Sequence, residues 1–184
     1  MSSFYSEKEL ASLGLKSYGN NVYISRKCSI YGADKISIGN NVRIDDFCLL
    51  SGNITIGSNI HISAYTALYG AMGIIMEDYT GISPRCTLIS ASDDFSGDCL
   101  VGPIHPESTT NVTGGPIVMK RFSHIAAHCC IMPNVTIEEG TVIGAMSLVR
   151  HTTEPWMMYV GCPVKALRPR KNGLTLLSHW TSKR

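Results

Sequence analysis

The chain has 184 residues and a formal net charge of +2. This length suits one domain with its own buried core, and the nearly balanced charge argues against binding to nucleic acid. No apolar run reaches the roughly 18 residues that a membrane-spanning helix needs, so membrane insertion is not expected. The acidic N-terminus lacks the basic start of a secretory signal.

Seven cysteines are present, and two features argue against a disulfide scaffold. Their number is odd, and four of them recur at one position of the repeat described below, where a small apolar side chain is needed. We therefore interpret them as reduced thiols, which favours a cytoplasmic protein. No two cysteines have C-x-x-C spacing, so no metal site is expected. The recurring cysteines are Cys28, Cys48, Cys86 and Cys129.

The first element in chain order is a short helix in the segment SEKELASLG. Ser6 and Glu9 have the spacing of a capping box at its start, and Gly14 can end it. The helix belongs to a predicted N-terminal cap of residues 1–17. We expect this cap to cover the open end of the structure that follows, where unpaired strand edges would invite association.

A six-residue period follows the cap. A helix repeats its apolar positions every three or four residues and a half-buried strand every two, so a period of six is typical of neither. Seventeen such hexads can be traced, eleven beginning before residue 92 and six beginning after residue 116. The most regular stretch has its aliphatic residues at Ile38, Ile44, Leu50, Ile56, Ile62 and Leu68.

This period predicts a stack of coils. Six residues supply one short strand and one corner, and three such sides close a triangular coil whose aliphatic side chains point inward. Residues 18–154 are therefore predicted to form an all-β parallel β-helix. A β-sandwich of short strands is the alternative, although sandwiches rarely keep a constant spacing over so many strands.

Residues 90–116 interrupt the repeat. This segment carries the adjacent carboxylates Asp93 and Asp94, a histidine at His105 and three prolines. Long loops in compact domains are usually functional or disordered, and a loop on a rigid scaffold is a common place for a site. We interpret the segment as a candidate site; the alternative is a buttress for a neighbouring subunit, and the two roles are compatible.

The last part of the chain, residues 155–184, breaks the repeat at Pro155. It contains the one concentrated group of positive charges, Lys165, Arg168 and Arg170, and then a short amphipathic tail that is predicted to form a short helical segment.

Three stretches carry a resemblance to a known family: NVRIDDFCLLSG, SDDFSG and EPWMMYVGCPVKAL. Together with the hexads they resemble the hexapeptide-repeat acyltransferases over roughly residues 18–168. The branch that is most similar acetylates dTDP-4-amino-4,6-dideoxy-glucose or related nucleotide-linked sugars, and the galactoside O-acetyltransferase type comes next. The resemblance implies a left-handed coil, although the general rule for parallel crossovers favours the right hand.

The resemblance also implies the reaction and its partners. It implies acetyl-CoA as co-substrate, a sugar as acceptor, and a homotrimer with the active sites between subunits. The implied role is in the synthesis of cell-surface polysaccharide such as lipopolysaccharide O-antigen. The closing segment, residues 155–184, is then the coenzyme-binding segment and tail.

The catalytic candidates are Asp93, Asp94 and His124. Members of the family carry a histidine base near the start of the corresponding loop, but this sequence has Asp93 there, followed by Asp94. A carboxylate can bind an ammonium group and accept its proton, so these residues favour N-acetylation over O-acetylation. The alternative is a turn pair that caps backbone N–H groups.

The histidines offer further candidates. His124 is predicted to point outward directly after the interruption, where the resemblance implies a residue bordering the acetyl-CoA channel. His128 could serve similarly, and His105 could be another base. His61 could face a neighbouring subunit, and each could instead be an ordinary surface histidine.

The resemblance implies a set of coenzyme contacts from the later coils and the closing segment. Small residues allow close approach of the pantetheine arm, and Arg and Lys suit the coenzyme phosphates, although a solvated basic tail is the alternative. These contacts are Gly144, Ala145, Met146, Gly161, Pro163, Lys165 and Arg168.

Other function classes stay open. O-acetylation of a saccharide is the main alternative. A β-helix zinc protein of the carbonic-anhydrase type would need His61, His124 and His128 to converge between subunits, and a non-catalytic scaffold would leave residues 90–116 unexplained. No glycine-rich phosphate loop follows any predicted strand, which disfavours nucleoside triphosphate chemistry.

Overall fold

The computed structural model describes residues 3–181, with side chains to residue 177, so the outermost residues of the predicted segments 1–17 and 155–184 lie outside the described residues. Two short helices flank twenty strands. The helices are α1 (Glu7–Ser12) and α2 (Leu174–Thr181). The strands are β1 (Ser17–Tyr18), β2 (Val22–Ile24), β3 (Ser29–Tyr31), β4 (Ile36–Ile38), β5 (Val42–Ile44), β6 (Leu49–Ile56), β7 (Ile60–Ile62), β8 (Ala67–Met76), β9 (Gly81–Ile82), β10 (Thr87–Ile89), β11 (Ala91–Asp93), β12 (Val112–Gly114), β13 (Ile117–Met119), β14 (His124–Ile125), β15 (Cys130–Ile131), β16 (Thr136–Ile137), β17 (Val142–Ile143), β18 (Leu148–Val149), β19 (Met157–Val160) and β20 (Lys165–Pro169).

The strands stack in parallel into a three-sided prism. The first face is the series β2, β5, β7, β9, β14, β17 and β19. The second face contains β3, β10, β15, β18 and the starts of β6 and β8, and the third contains β1, β4, β13, β16 and the ends of β6 and β8. Successive strands of each face come from successive coils, which confirms the predicted parallel β-helix.

The aliphatic residue of each hexad fills the core. On the first face these side chains lie in register from coil to coil and are almost fully buried. Burying one such side chain contributes about 1.5–3 kcal/mol relative to leaving it exposed, so the column stabilises the stack without disulfides. The column is Ile24, Ile44, Ile62, Ile82, Ile125 and Ile143.

The first corner, where the first face turns into the second, is lined by small side chains that donate hydrogen bonds. All seven cysteines are free, and the recurring ones lie in one column with Thr66 and Ser147. Each thiol donates a hydrogen bond to a backbone carbonyl of the next coil. This explains why the repeat needs a small residue with a hydrogen-bond donor at this corner position. The bonds join Cys28 to Asp45, Cys48 to Ser63, Cys86 to Ala126 and Cys129 to Gly144, with Sγ–O distances of 3.1–3.2 Å.

Helix α1 closes the first coil. Its capping box is present, because the Glu9 carboxylate accepts the Ser6 backbone N–H at 2.8 Å, and Leu10 enters the core. Arg26 of the first coil pairs with Glu9, and this pair together with Ser6 lowers the pKa of Glu9 to about 2. Neither described helix has the length and apolar character needed to cross a membrane.

Candidate active site

Ser83 and His124 form a polar pair beside the first corner. His124 follows the interruption and stands in register with Gly81 of the preceding coil. Its ring leans back over Gly81: a Cβ atom on that glycine would lie 2.7 Å from the His124 Cε1 and Nδ1 atoms. In this position His124 Nε2 lies 3.2 Å from the Ser83 hydroxyl oxygen. The missing side chain at Gly81 therefore places the imidazole on the serine.

The surroundings of His124 favour its neutral form. His124 is exposed overall, but partial loss of water around its ring lowers the pKa of His124, and the charges of Arg170 and His61 lower it further. A neutral imidazole can accept or donate one hydrogen bond at each nitrogen. The pair can therefore orient a polar group at neutral pH without presenting a positive charge to it.

The predicted coenzyme contacts Gly144, Ala145 and Met146 lie on the same corner, two coils beyond Ser83. Backbone bonds from Ser83 N to the Ile125 carbonyl at 2.8 Å and from Ala126 to the next coil fix this register. Gly144 is confined by the last coil, because a Cβ atom there would lie 3.2 Å from a Val160 methyl carbon.

Gly161 and Pro163 extend the corner by one more coil. The Gly161 carbonyl accepts the Leu148 N–H at 3.0 Å, and Pro163 follows in an exposed turn. The five small or apolar residues of the predicted coenzyme set thus lie on the last two coils of the first corner, and one coil separates them from Ser83.

The positive charges of the closing segment divide into two kinds. Lys165 and Arg168 are exposed on β20, which pairs antiparallel with β19, and neither has an ion-pair partner within the described part of the chain. Arg170 differs, because one of its Nη atoms donates to the carbonyls of Phe122 at 3.0 Å and Gly140 at 2.8 Å. Arg170 is therefore held at the third corner, between the third and first faces, whereas the other two predicted cations, Lys165 and Arg168, are exposed and free to meet phosphates.

Residues 90–116, here called the arm, project from the second corner as an antiparallel hairpin of β11 and β12. Asp94 caps a turn in the arm: it accepts the Ser96 N–H at 2.8 Å and the Asn111 side-chain amide at 2.9 Å. These bonds hold the pKa of Asp94 below its ordinary value. For Asp94 the structure supports the turn-capping alternative.

Asp93 is engaged much less. One carboxylate oxygen accepts the Gly102 N–H at a long 3.3 Å, and the other has no hydrogen-bond partner among the described residues. The side chain is half-buried at the end of β11. Of the two predicted carboxylates, Asp93 is the one whose oxygen is available to a substrate.

The structure brings some predicted residues together and keeps others apart. His124 lies with Ser83 beside the first corner, whereas the arm with Asp93 leaves from the second corner, one face away. No contact joins Asp93 to His124 within residues 3–177. His128 lies exposed on the first corner, and His105 is half-buried in the arm. No group of three or more candidate metal ligands occurs among the described side chains.

Two features of this region were not predicted from the sequence. The first is the Ser83 hydroxyl beside His124. The other is a cluster on the first face in which Asp45 binds Arg43 Nε and His61 Nε2, each at 2.7 Å. The available signal was the hexad position: Arg43 and His61 occupy the same outward position one coil apart, so they had to be neighbours.

Comparisons with known proteins define the class. No model of a known protein family matches the chain. A maltose O-acetyltransferase from Clostridium difficile shares the fold, with a TM-score of 0.56 and 19% identity over 90% of this chain and 75% of that one. The coils, together with acyltransferase relatives that are 38% and 50% identical, identify an enzyme of the hexapeptide-repeat acyltransferase class.

More particularly, the chain belongs to the family of the dTDP-4-amino-4,6-dideoxy-D-glucose acyltransferase. It is 38% identical to that protein from Escherichia coli over 174 residues, 93% of this chain and 91% of the relative. Structures of AntD, an N-acyltransferase from Bacillus cereus, match with a TM-score of 0.96 and 50% identity over 100% of this chain and 98% of that one.

The AntD structures contain ligands. One holds dTDP-4-amino-4,6-dideoxyglucose and coenzyme A, and another holds dTDP and 3-hydroxybutyryl-CoA. Some are variants of AntD in which a serine or, ten positions later, an aspartate is replaced.

Proposed function

We propose that this enzyme transfers the acetyl group of acetyl-CoA to the amino group of dTDP-4-amino-4,6-dideoxyglucose or a closely related nucleotide-linked sugar. One observation carries the assignment of its site. Ser83 and Asp93 are the one serine–aspartate pair in this sequence with the ten-residue spacing of the two residues replaced in AntD. The same two residues have polar atoms available at the first corner and on the arm.

The proposed reaction is direct acyl transfer. Asp93 binds the ammonium form of the sugar amine and accepts its proton. The free amine attacks the thioester carbonyl; the new C–N bond forms, the C–S bond breaks, and coenzyme A leaves as a thiolate that then takes up a proton. Ser83 and the neutral His124 hold polar groups of the reactants in place. A carboxylate suits an amine better than an alcohol, which favours N-acetylation over O-acetylation.

We assign the coenzyme to the first corner. Its pantetheine arm lies along Gly144, Ala145 and Met146, where small residues allow close approach of the backbone. Its phosphates are met by Lys165 and Arg168, which have no ion-pair partner within the described chain. The acyl carbon then arrives beside Ser83.

Asp93 reaches such a site only from another copy of the chain, so we propose a homotrimer with three equivalent clefts. Each cleft combines the first corner of one subunit with the arm of its neighbour. Support comes from large apolar side chains on the arm that a partner would cover: Phe95 is 75% exposed and Ile104 is 87% exposed.

The free thiols suit a reducing compartment. We accordingly assign the reaction to the cytoplasm, upstream of the assembly of cell-surface polysaccharide.

The test compares two neighbouring carboxylates. Asp93→Asn keeps the shape and removes the base, and we expect kcat/KM to fall about 10²- to 10⁴-fold. Asp94→Asn is the matched control, because it keeps an acceptor for the Ser96 N–H, and it should fall less than tenfold. The measurement is release of coenzyme A thiol with acetyl-CoA and the dTDP-linked amino sugar. Equal losses in the two variants, or transfer to a sugar alcohol only, would contradict the proposal.

A further inference from the structure

Arg170 is a cation of the closing segment that the proposed coenzyme contacts leave without a role. It follows β20 directly, and its backbone N–H donates to the Trp156 carbonyl at 2.7 Å. Its side chain is half-buried, whereas the Lys165 and Arg168 side chains are exposed. Arg170 is thus held by both its backbone and its side chain, which a solvated basic tail does not require.

The two carbonyls that Arg170 binds occupy the same position on successive coils. Phe122 and Gly140 each precede a strand of the first face by two residues, and both have positive φ angles, 63° and 66°. One Nη atom of Arg170 bridges these two turns, at 3.0 Å from the Phe122 carbonyl and 2.8 Å from that of Gly140. A positive φ is uncommon for a residue with a bulky side chain. The bridge therefore stabilises the turn from which β14, the strand that begins with His124, starts.

Aromatic packing joins the same turns. Trp156 covers Gly140, because a Cβ atom on that glycine would lie 2.4 Å from the Trp156 Cδ2 atom. The Trp156 ring also lies against the buried Phe122 ring, with centroids 6.2 Å apart. Since the Trp156 carbonyl accepts the Arg170 N–H, the guanidinium, the indole and the two turns form one packed unit. A displacement of Arg170 is therefore transmitted to the start of β14.

The positive charge of Arg170 is not neutralised by an ion pair. Both of its side-chain hydrogen bonds go to uncharged carbonyls, and no carboxylate pairs with it among the described residues. Loss of water around the guanidinium lowers the pKa of Arg170, but arginine stays protonated in proteins. A charge in a half-buried site is screened less than in water. Arg170 therefore acts on its neighbours as a permanent positive charge.

The elements packed around His124 supply two charged groups that act on its ring, Arg170 and His61, and both lower its pKa. His61 is charged only when it is protonated, and its Nε2 lies 2.7 Å from the Asp45 carboxylate, which opposes any such charge. Arg170 keeps its charge at every pH of interest. The other neighbours of the ring by register or hydrogen bond are uncharged: Gly81, Val142 and Ser83.

We infer that Arg170 is a positioning residue for acyl transfer: it fixes the turn that carries His124 and places a permanent positive charge near the imidazole. The ring then stays uncharged and remains bonded to Ser83. The inference rests on the proposed function for the role of the Ser83–His124 pair in the reaction. It differs from the phosphate role expected of the closing segment, because Arg170 acts through His124 and contacts neither reactant.

The first measurement is the nuclear magnetic resonance titration of His124 in the full chain. Arg170→Gln removes the charge and keeps an amide that can donate to a carbonyl, so the pKa of His124 should rise. Arg170→Lys keeps the charge and a donor, so the titration should stay close to that of the wild type. Lys171→Met is the matched control, because it removes an exposed positive charge from the neighbouring position and should not shift the titration. An unchanged titration in Arg170→Gln overturns the inference.

The second measurement is the pH dependence of kcat/KM for coenzyme A release with acetyl-CoA and the dTDP-linked amino sugar. In Arg170→Gln the acidic limb should move to higher pH, because the imidazole then becomes charged at a higher pH. The loss should be about 10- to 100-fold on that limb, as for a misplaced positioning group, and should shrink as pH rises. The KM for acetyl-CoA should stay within twofold, and Arg170→Lys should restore the position of the limb.

Two other results would overturn the inference. A purely structural role would lower Tm and reduce kcat/KM equally at every pH, and a phosphate contact would raise the KM for acetyl-CoA. If Arg170→Gln does not fold, the wild-type titration still decides, because a His124 pKa at or above the ordinary histidine value contradicts the inference without any variant. If the wild-type chain acetylates no amino sugar, the proposed function fails, whereas the titration still shows whether Arg170 controls the charge of His124.

Discussion

Gly81 has no side chain, and the His124 ring occupies the space that one would fill. Because the His124 ring fills the space of the missing Gly81 side chain, two coils that are far apart in sequence pack directly against each other. This packing also bears on the pKa of His124, because the ring loses water where it covers the glycine although the residue stays exposed overall, and this desolvation lowers the pKa.

The coupling gives a prediction for Gly81→Ala. The new methyl group must displace the ring, so we expect the pKa of His124 to rise toward its ordinary value and kcat/KM to fall roughly 10- to 100-fold, as for a misplaced positioning group. Nuclear magnetic resonance titration of the imidazole and steady-state kinetics measure the two effects. Gly173→Ala is the control, because nothing lies within 4 Å of its added Cβ atom. If the pKa of His124 is unchanged in Gly81→Ala, Gly81 does not determine the position of the ring.

The arm is an independent element at the next scale. Its base is closed by Gly115 N–H donating to the Ser90 carbonyl at 3.0 Å, and Ser90 is fixed by its hydroxyl, which donates to the Tyr69 carbonyl at 2.9 Å. The coils resume directly afterwards, with Ile117 in register with Ile74. The prism therefore does not need the rest of the arm for its pairing.

Replacing residues 95–110 with a short glycine-rich turn tests this separation. The hairpin of β11 and β12 and the coils should remain, and Tm should change by only a few degrees, because shortening a surface loop changes the closure entropy little. Acyl transfer should fall well over tenfold, because Asp93 loses Gly102 and the apolar contacts of the arm. Thermal melting and steady-state kinetics are the measurements. A fully active variant would show that the arm is not part of the active site.

How far the sequence predicts this site depends on the element. The coils follow from a local period, so Ile44 or Ile62 can be assigned to the core without knowing anything else. The pairing of Ser83 with His124 cannot be predicted in this way. The arm lies between the two residues in the sequence, and its folded path decides which coil His124 stacks on. Likewise Asp93 and Asp94 are equivalent in the sequence, and only the hydrogen bonds to Asp94 separate them.

At the scale of the whole molecule, the proposed trimer makes each site from two chains. Ala145→Trp should block the coenzyme edge of its own subunit, since Ala145 is exposed there, and Asp93→Asn should disable the arm. Each variant alone should be nearly inactive. Co-expressed in equal amounts, they should recover about one quarter of the wild-type activity, because random assembly of a cyclic trimer pairs an intact corner with an intact arm in that share of clefts.

The control for this mixing is each variant co-expressed with itself, which should recover nothing. Light scattering at micromolar concentration should give the mass of three chains. A monomer, or no recovery of activity in a confirmed mixed trimer, would place the whole site in one subunit and contradict the shared cleft.

The constant height of a coil has a consequence for how such enzymes can diverge. Each coil adds one layer to the core columns and one set of corner hydrogen bonds. Duplicating the coil between β7 and β9 would therefore leave the packing at both ends of the prism unchanged. It would move Arg43 about 4.8 Å farther from Ser83. The height of the first face in this architecture is then set in whole-number steps, and a single duplication would lengthen the distance from the N-terminal helix to Ser83 without altering the packing at either place.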